Sequence, residues 1–139
     1  MRVLVCGDRR WTDREELFEV LDDFHAHWGI TQIIEGCANG ADRIAGWPCP
    51  GVKLQKGQPI PLPGWGVLRG VPVDHNPAEW HVHGKAAGPI RNMNMLRAKR
   101  PEYVLAFHPS FTTSKGTKHM VTIAREAGIP VEIFPNPHR

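Results

Sequence analysis

Five short apolar runs separated by helical patterns constrain this chain more than any other feature. They are Arg2-Val3-Leu4-Val5-Cys6, Ile30 to Glu35, Val71-Pro72-Val73-Asp74, Tyr103 to Phe107 and Ile129 to Phe134. Near-continuous apolar runs of this length read as strands buried on both faces. Between the first two, Thr12 with Glu15 three positions on forms a capping box, and Leu17, Phe18, Val20, Leu21 and Phe24 share one helical face that ends at Gly29. Pro89 sits at a first helical position, with Ile90, Met93, Leu96 and Arg97 continuing to about Lys99. Lys115-Gly116-Thr117 open a further helix with Met120, Val121, Ile123 and Ala124 at core spacing, stopped by Gly128. Strands alternating with helices predict an α/β fold: one three-layer domain over residues 1–139, with a five-stranded parallel sheet and helices on both faces. From Trp47 to Gly70 the chain is rich in proline and glycine without period, and reads as an irregular insertion at about 47–70. Pro135 to Arg139 reads as a frayed tail.

In a parallel sheet of this kind ligands bind beyond the carboxyl ends of the strands, and the unusual turns all fall at that edge. Gly36-Cys37-Ala38-Asn39-Gly40-Ala41-Asp42-Arg43 reads as strand end, glycine-rich turn and helix start. Free amides at a helix start, together with the helix dipole, attract anions. Gly7-Asp8-Arg9 follows the first strand, and Ser114-Lys115-Gly116-Thr117 follows the fourth. The latter is not a Walker A sequence and reads either as a phosphate contact or as a plain helix cap. Gly84 to Asn92 places small residues, including Gly88, before a proline-started helix from which Arg91 and Asn92 project, and Arg91 can pair bidentately with a phosphate or carboxylate. Asp8 and Asp42 are the carboxylates nearest this edge and the candidate catalytic acids or bases for N-glycosidic cleavage. Alternatively Asp42 caps its helix and holds Arg43, while Asp8 pairs with Arg9 or Arg10.

Net charge is +3, and the basic residues are scattered rather than striped, which favours a small anionic ligand over nucleic acid. Hydrophobic residues make up 41% of the chain, but no apolar run approaches the ~20 residues of a membrane span. Met1-Arg2 runs straight into a strand, leaving no room for a signal peptide. Cys6, Cys37 and Cys49 show no CxxC spacing, so neither a disulfide framework nor a zinc site follows, and a cytoplasmic location is expected. Cys6 and Cys37 end adjacent strands and read as small apolar packing. His81 and His83, if on a strand, share a face, but no third metal ligand accompanies them; a divalent metal is left open and not indicated. Trp11 and Trp80 are either stacking platforms for a base or lids on the core.

Val5-Cys6-Gly7-Asp8-Arg9-Arg10-Trp11, Gly36 to Arg43, His83 to Asn92 and Ser114 to Thr117 occur in the order found in the SLOG superfamily, and together they resemble its YspA/cpYpsA-related branch. That branch consists of small Rossmann-like proteins frequent in actinobacteria and their phages. The resemblance implies a pocket for a nucleotide or nucleotide derivative, such as an NAD or ADP-ribose derivative. The residues implied to bind it are Gly7, Arg9, Gly36, Asn39, Gly40, Arg43, Gly88, Arg91, Asn92, Ser114, Lys115, Gly116 and Thr117. It also implies a homo-oligomer, dimer or tetramer. The related lonely-guy phosphoribohydrolases carry a Pro-Gly-Gly-x-Gly-Thr-x-x-Glu motif with a catalytic glutamate. Gly116 and Thr117 align with its Gly-Thr, whereas Met120 occupies the glutamate position. Hydrolysis of an N-glycosidic or phosphate-ester bond and non-catalytic sensing or sequestration of a nucleotide signal are the two leading readings; a protein-interaction module in which the glycine turns are merely structural ranks third.

Overall fold

A computed structural model describes residues 1–136, so the tail read as frayed lies partly outside the described residues. Five strands, β1 (Arg2–Gly7), β2 (Gln32–Glu35), β3 (Val73–His75), β4 (Tyr103–Phe107) and β5 (Val131–Phe134), form one all-parallel sheet in the order β3-β2-β1-β4-β5. Among the described residues six α-helices accompany them: α1 (Arg14–Trp28), α2 (Ala41–Gly46), α3 (Trp65–Arg69), α4 (Trp80–His83), α5 (Ala87–Lys99) and α6 (Gly116–Glu126). The central strand explains the layering. Val3 and Val5 point into a core shared with Leu17, Leu21, Ala41, Ala45 and Trp65, while Leu4 and Cys6 point into one shared with Met95, Met120, Val121 and Ala124. Alternate residues of one strand thus feed α1, α2 and α3 on one face and α5 and α6 on the other.

Several local details differ from the sequence reading. The cap of α1 is Asp13, whose carboxylate accepts the Glu16 amide at 2.9 Å, not Thr12 paired with Glu15. A charged acceptor one residue on makes the stronger cap, and the Trp11 indole, donating to the Asp13 carbonyl at 2.9 Å, fixes it there. The excursion is irregular only as far as Gly64. Then α3 forms because Trp65 is wholly buried and its indole donates to Asp22 on α1 at 2.8 Å. His81 and His83 lie on the helical turn α4 and are exposed, rather than on a strand. On α5 the buried positions are Ala87, Asn92 and Met95, with Ile90, Met93 and Leu96 half-buried. A buried asparagine replaces the expected apolar stripe because it is fully bonded, as described below. Between α4 and α5, Gly84–Ala86 forms one turn of 3-10 helix, so α5 begins before Pro89.

Candidate functional site

The strand order places β1 and β4 side by side, and their chains leave in opposite directions, β1 towards α1 on one face and β4 towards α6 on the other. Such a divergence opens a crevice at the carboxyl edge of the sheet. A cleft of about 710 Å³ lies there. Its walls are Gly7, Asp8, Arg9 and Arg10 after β1, and His108 to Ser110 with Thr113 to Thr117 after β4; Asp42, Arg91, Asn92 and Met120 also line it. A second space of about 420 Å³ meets it at Arg9, Ala38 and Arg91, and is lined by Gly36, Asn39, Arg43 and Trp80. Of the residues singled out in the sequence, Gly7, Asp8, Arg9, Asp42, Arg91, Asn92, Ser114, Lys115, Gly116 and Thr117 meet in the first space, and Gly36, Asn39 and Arg43 in the second. Among the described residues, Gly40 and Gly88 line neither. Gly40 has φ 81°, and a side chain there would run into the Asp8 carbonyl, so it serves to seat the second turn against the first.

Arg91 organises the junction. Its Nη1 donates to the Gly36 carbonyl at 2.7 Å and to the Asn76 carbonyl at 3.4 Å, and its Nε donates to Asn92 Oδ1 at 2.9 Å. Gly36 has no side chain because the guanidinium fills that place. Asn92, buried, donates from Nδ2 to His119 Nδ1 at 3.1 Å and to the Gly116 carbonyl at 3.4 Å, tying α5 to the start of α6. Ser114 Oγ accepts the Lys118 amide at 3.1 Å, so this hydroxyl caps α6. The Lys115 side chain stands exposed at the rim.

The two carboxylates differ in kind. Asp42 is buried, and its Oδ2 accepts the amides of Gly36 at 3.1 Å and Ala38 at 3.2 Å. Burial, helped by the charge on Glu35, pushes its pKa up to about 7 against the pull of Arg91 and these amides. Asp42 therefore braces the loop. Asp8 accepts the Arg10 backbone amide at 2.9 Å on Oδ1, and its Oδ2 lies 3.9 Å from His108 Nε2. The Ser110 amide donates to His108 Nδ1 at 2.9 Å, so in the neutral ring the proton sits on Nε2, facing Asp8. His108 is not among the residues the sequence singles out as functional. A lone histidine after an apolar strand carries no signal until β1 and β4 are paired. Cys6, on the cleft floor, is held protonated by burial and by Asp42.

Arg43 Nε donates to the Cys37 carbonyl at 3.1 Å, and its buried Nη1 has no hydrogen-bond partner among the described residues. Asn39 Oδ1 accepts from Gln58 Nε2 at 2.8 Å, so the excursion reaches back over the glycine-rich turn. Trp11 is a core residue, edge-on to Phe107 at 5.6 Å, whereas Trp80 is half-exposed with the Arg9 guanidinium 5.7 Å from its ring.

Cys37 and Cys6 part company: Cys37 finds Cys49 and His75 around the wholly buried Glu35. Its amide donates to Glu35 Oε2 at 2.5 Å, and His75 Nδ1 lies 2.6 Å from Glu35 Oε1. The hydrogen bond to Cys49, burial and the charge on Glu35 all hold the Cys37 thiol far above its usual range. Cys49 and His75 stand 14 and 40 residues from Glu35, a spacing with no motif in it.

The first 47 residues match a family model described as "YspA, cpYpsA-related SLOG family". The chain is also 37% identical over 135 residues, 96% of its own length and 95% of the other's, to "Gene 61 protein" of Mycobacterium phage D29. The chain belongs to the YspA/cpYpsA-related SLOG family. A mycobacteriophage relative agrees with the phage distribution expected of this family, and membership suggests a nucleotide-related function. No solved structure matches the chain. Among the described residues, no helix is long and apolar enough to cross a membrane.

Proposed function

We propose that this SLOG-family protein binds a nucleotide or nucleotide-derived ligand, such as an NAD or ADP-ribose derivative, in the cleft beyond β1 and β4. The observation that carries the reading is the convergence at one topological switch point of Arg9, Arg10, Arg91 and Lys115 with the first amides of α6, against only Asp8 and Asp42. The volume suits a small molecule of this class. Phosphates rest on the Gly116 and Thr117 amides, neutralised by Lys115 and Arg91, while Asp8 and Arg9 orient a ribose or a second phosphate. The adjoining space, with Trp80 at its edge and the unpartnered Arg43 Nη1 in its wall, accommodates the remainder of a dinucleotide. The basic groups line a concavity rather than a stripe, which favours a small-molecule partner over nucleic acid or a membrane surface. The three free cysteines suit a reducing cytoplasm. A dimer or tetramer belongs to the same reading, and light scattering at low micromolar concentration tests it.

In the catalytic version, an N-glycosidic or phosphate-ester bond is hydrolysed by water, with Asp8 accepting the water's proton and His108 holding that carboxylate in place. Two observations favour the other version, a non-catalytic sensor or sponge. Met120, an apolar thioether, lines the cleft where the lonely-guy enzymes have glutamate, and Asp42 is engaged by backbone amides. A thermal-shift panel of NAD, ADP-ribose, cyclic ADP-ribose and AMP tests binding. Chromatography of each stabilising ligand then separates the versions: unchanged ligand supports the sensor, released base or phosphate the hydrolase. No shift with any nucleotide, and no difference between the protein and its Lys115→Ala variant, refutes both.

A further inference from the structure

At the β2–β3 side of the sheet, four side chains from separate parts of the chain address one point. Glu35 ends β2, Cys37 follows it, His75 ends β3, and Cys49 arrives from the excursion beyond α2. Their donor atoms all lie within 4.8 Å of one another. We propose that Glu35, Cys37, Cys49 and His75 form a zinc site that pins the excursion to the sheet.

The geometry is close to that of a filled site. Tetrahedral zinc with Zn–S near 2.3 Å and Zn–N or Zn–O near 2.0–2.2 Å sets its ligand atoms about 3.3–3.8 Å apart. Cys37 Sγ is 3.3 Å from Glu35 Oε1 and 3.6 Å from His75 Nδ1, and Cys49 Sγ is 3.6 Å from Glu35 Oε1. The Glu35–His75 edge, at 2.6 Å, is shorter because a hydrogen bond spans it; opening it by about 0.7 Å brings it to the length of a zinc-site edge, and the two remaining pairs lie within 4.8 Å. Two sulfurs and an imidazole select a borderline-soft cation such as zinc over calcium or magnesium, which take oxygen ligands. On binding, each thiol releases its proton to solvent, and the proton of the Glu35–His75 hydrogen bond leaves that edge for Nε2 by way of solvent, so that Nδ1 and Oε1 both offer lone pairs to the metal. Two thiolates, one carboxylate and Zn²⁺ then carry a net charge of about −1.

A nucleophilic reading of Cys37 fits less well. Its φ of 58° at a strand-to-helix turn suits a nucleophile, but Glu35 and Cys37 both address the same imidazole nitrogen, Nδ1, so the ring cannot relay a proton between them. Four protein ligands instead close the coordination sphere, which marks a structural site. What it would hold is plain. From Trp47 to Gly64 the chain has neither helix nor strand, and Cys49 is a buried anchor within it. Cys37 also belongs to the turn whose neighbouring carbonyl binds Arg91, so the metal stabilises one wall of the second space.

The test uses the full chain purified from zinc-supplemented cells under reducing conditions without chelator, and none of its readouts involves a nucleotide. Elemental analysis is expected to find about one zinc per chain, falling at least tenfold in Cys49→Ser. Cobalt replacing zinc in the wild-type protein is expected to give the visible absorption of a tetrahedral site with thiolate charge transfer. Zinc should protect Cys37 and Cys49 from alkylation, as located by peptide mass, so the inference stays testable if Cys49→Ser fails to fold. Zinc below about a tenth of an equivalent with no cobalt absorption overturns it. So does a thiolate band that is unchanged in Cys49→Ser, or a Cys37–Cys49 disulfide in the reduced preparation.

Discussion

The cleft beyond β1 and β4 and the cluster beside β2 and β3 lie on the same edge of one sheet, yet they are built in opposite ways. The cleft is an open concavity lined by Arg9, Arg10 and Lys115, which are exposed, and by the start of α6. The cluster is enclosed and sulfur-rich, with Glu35, Cys37 and Cys49 buried and His75 partly so. Charge at the exposed rim of the cleft, on Arg9, Arg10 and Lys115, costs little to keep, whereas a buried carboxylate must be matched by a partner within the fold. Gly36 joins the two. Its carbonyl holds Arg91 of the cleft, and its neighbours in sequence are two members of the cluster. One region is therefore expected to govern affinity and the other stability, with Arg91 belonging to both.

Breaking the cluster should give the largest effect. Glu35→Ala strands the Cys37 amide and His75 in a buried site and is expected to destabilise the protein by about 3–5 kcal/mol in urea unfolding, with little refolded protein at 37 °C. A loss below about 1 kcal/mol would mean the carboxylate is not needed to satisfy its neighbours. Arg91→Ala tests the link between the regions. It removes hydrogen bonds to Gly36, Asn76 and Asn92 and is expected to cost about 2 kcal/mol together with the nucleotide-induced thermal shift. If stability falls but the shift survives, the two regions are uncoupled.

Asp42→Asn sharpens the contrast through pH. With a folded pKa near 7 against an unfolded value near 4, Asp42 binds more protons in the folded than in the unfolded chain between those values. Its contribution to stability therefore falls as pH rises from about 4 to 7 and is level above that. Asparagine retains an oxygen for the two amides, so the variant minus wild-type stability difference should grow in favour of asparagine across this window. Urea midpoints at pH 5 and pH 7.5 measure it, and a constant difference refutes the assignment. The smallest effect on stability belongs to Lys115→Ala, an exposed rim position: within about 0.5 kcal/mol of wild type, but with ligand affinity about tenfold weaker.

Much of the architecture was legible because it depends on local pattern. The runs at Val3 to Val5 and Val104 to Phe107 could only be doubly buried strands, and they are fully buried. The turns at Gly7, Gly36 and Ser114 announced themselves by residue type, and eleven of the thirteen proposed binding residues line the two spaces together with Asp8 and Asp42; the other two, Gly40 and Gly88, lie off the walls. Legibility failed where a distant partner decided the outcome. Trp65 starts a helix because Asp22 receives its indole, Asn92 replaces an apolar contact because His119 and Gly116 accept from it, and His108 matters only once it faces Asp8.

The sequence by itself therefore determined the strands, their parallel arrangement and the edge at which a ligand would be met. Hydrophobic period and turn chemistry are local properties of the chain. The tertiary structure alone decided that β1 and β4 are neighbours, which makes the cleft. It alone brought Cys49 from an unpatterned excursion to Glu35, Cys37 and His75. The physical reason is the same in both cases. A buried polar group is stable only beside its complement, and that complement is selected by proximity in the fold rather than by distance along the chain.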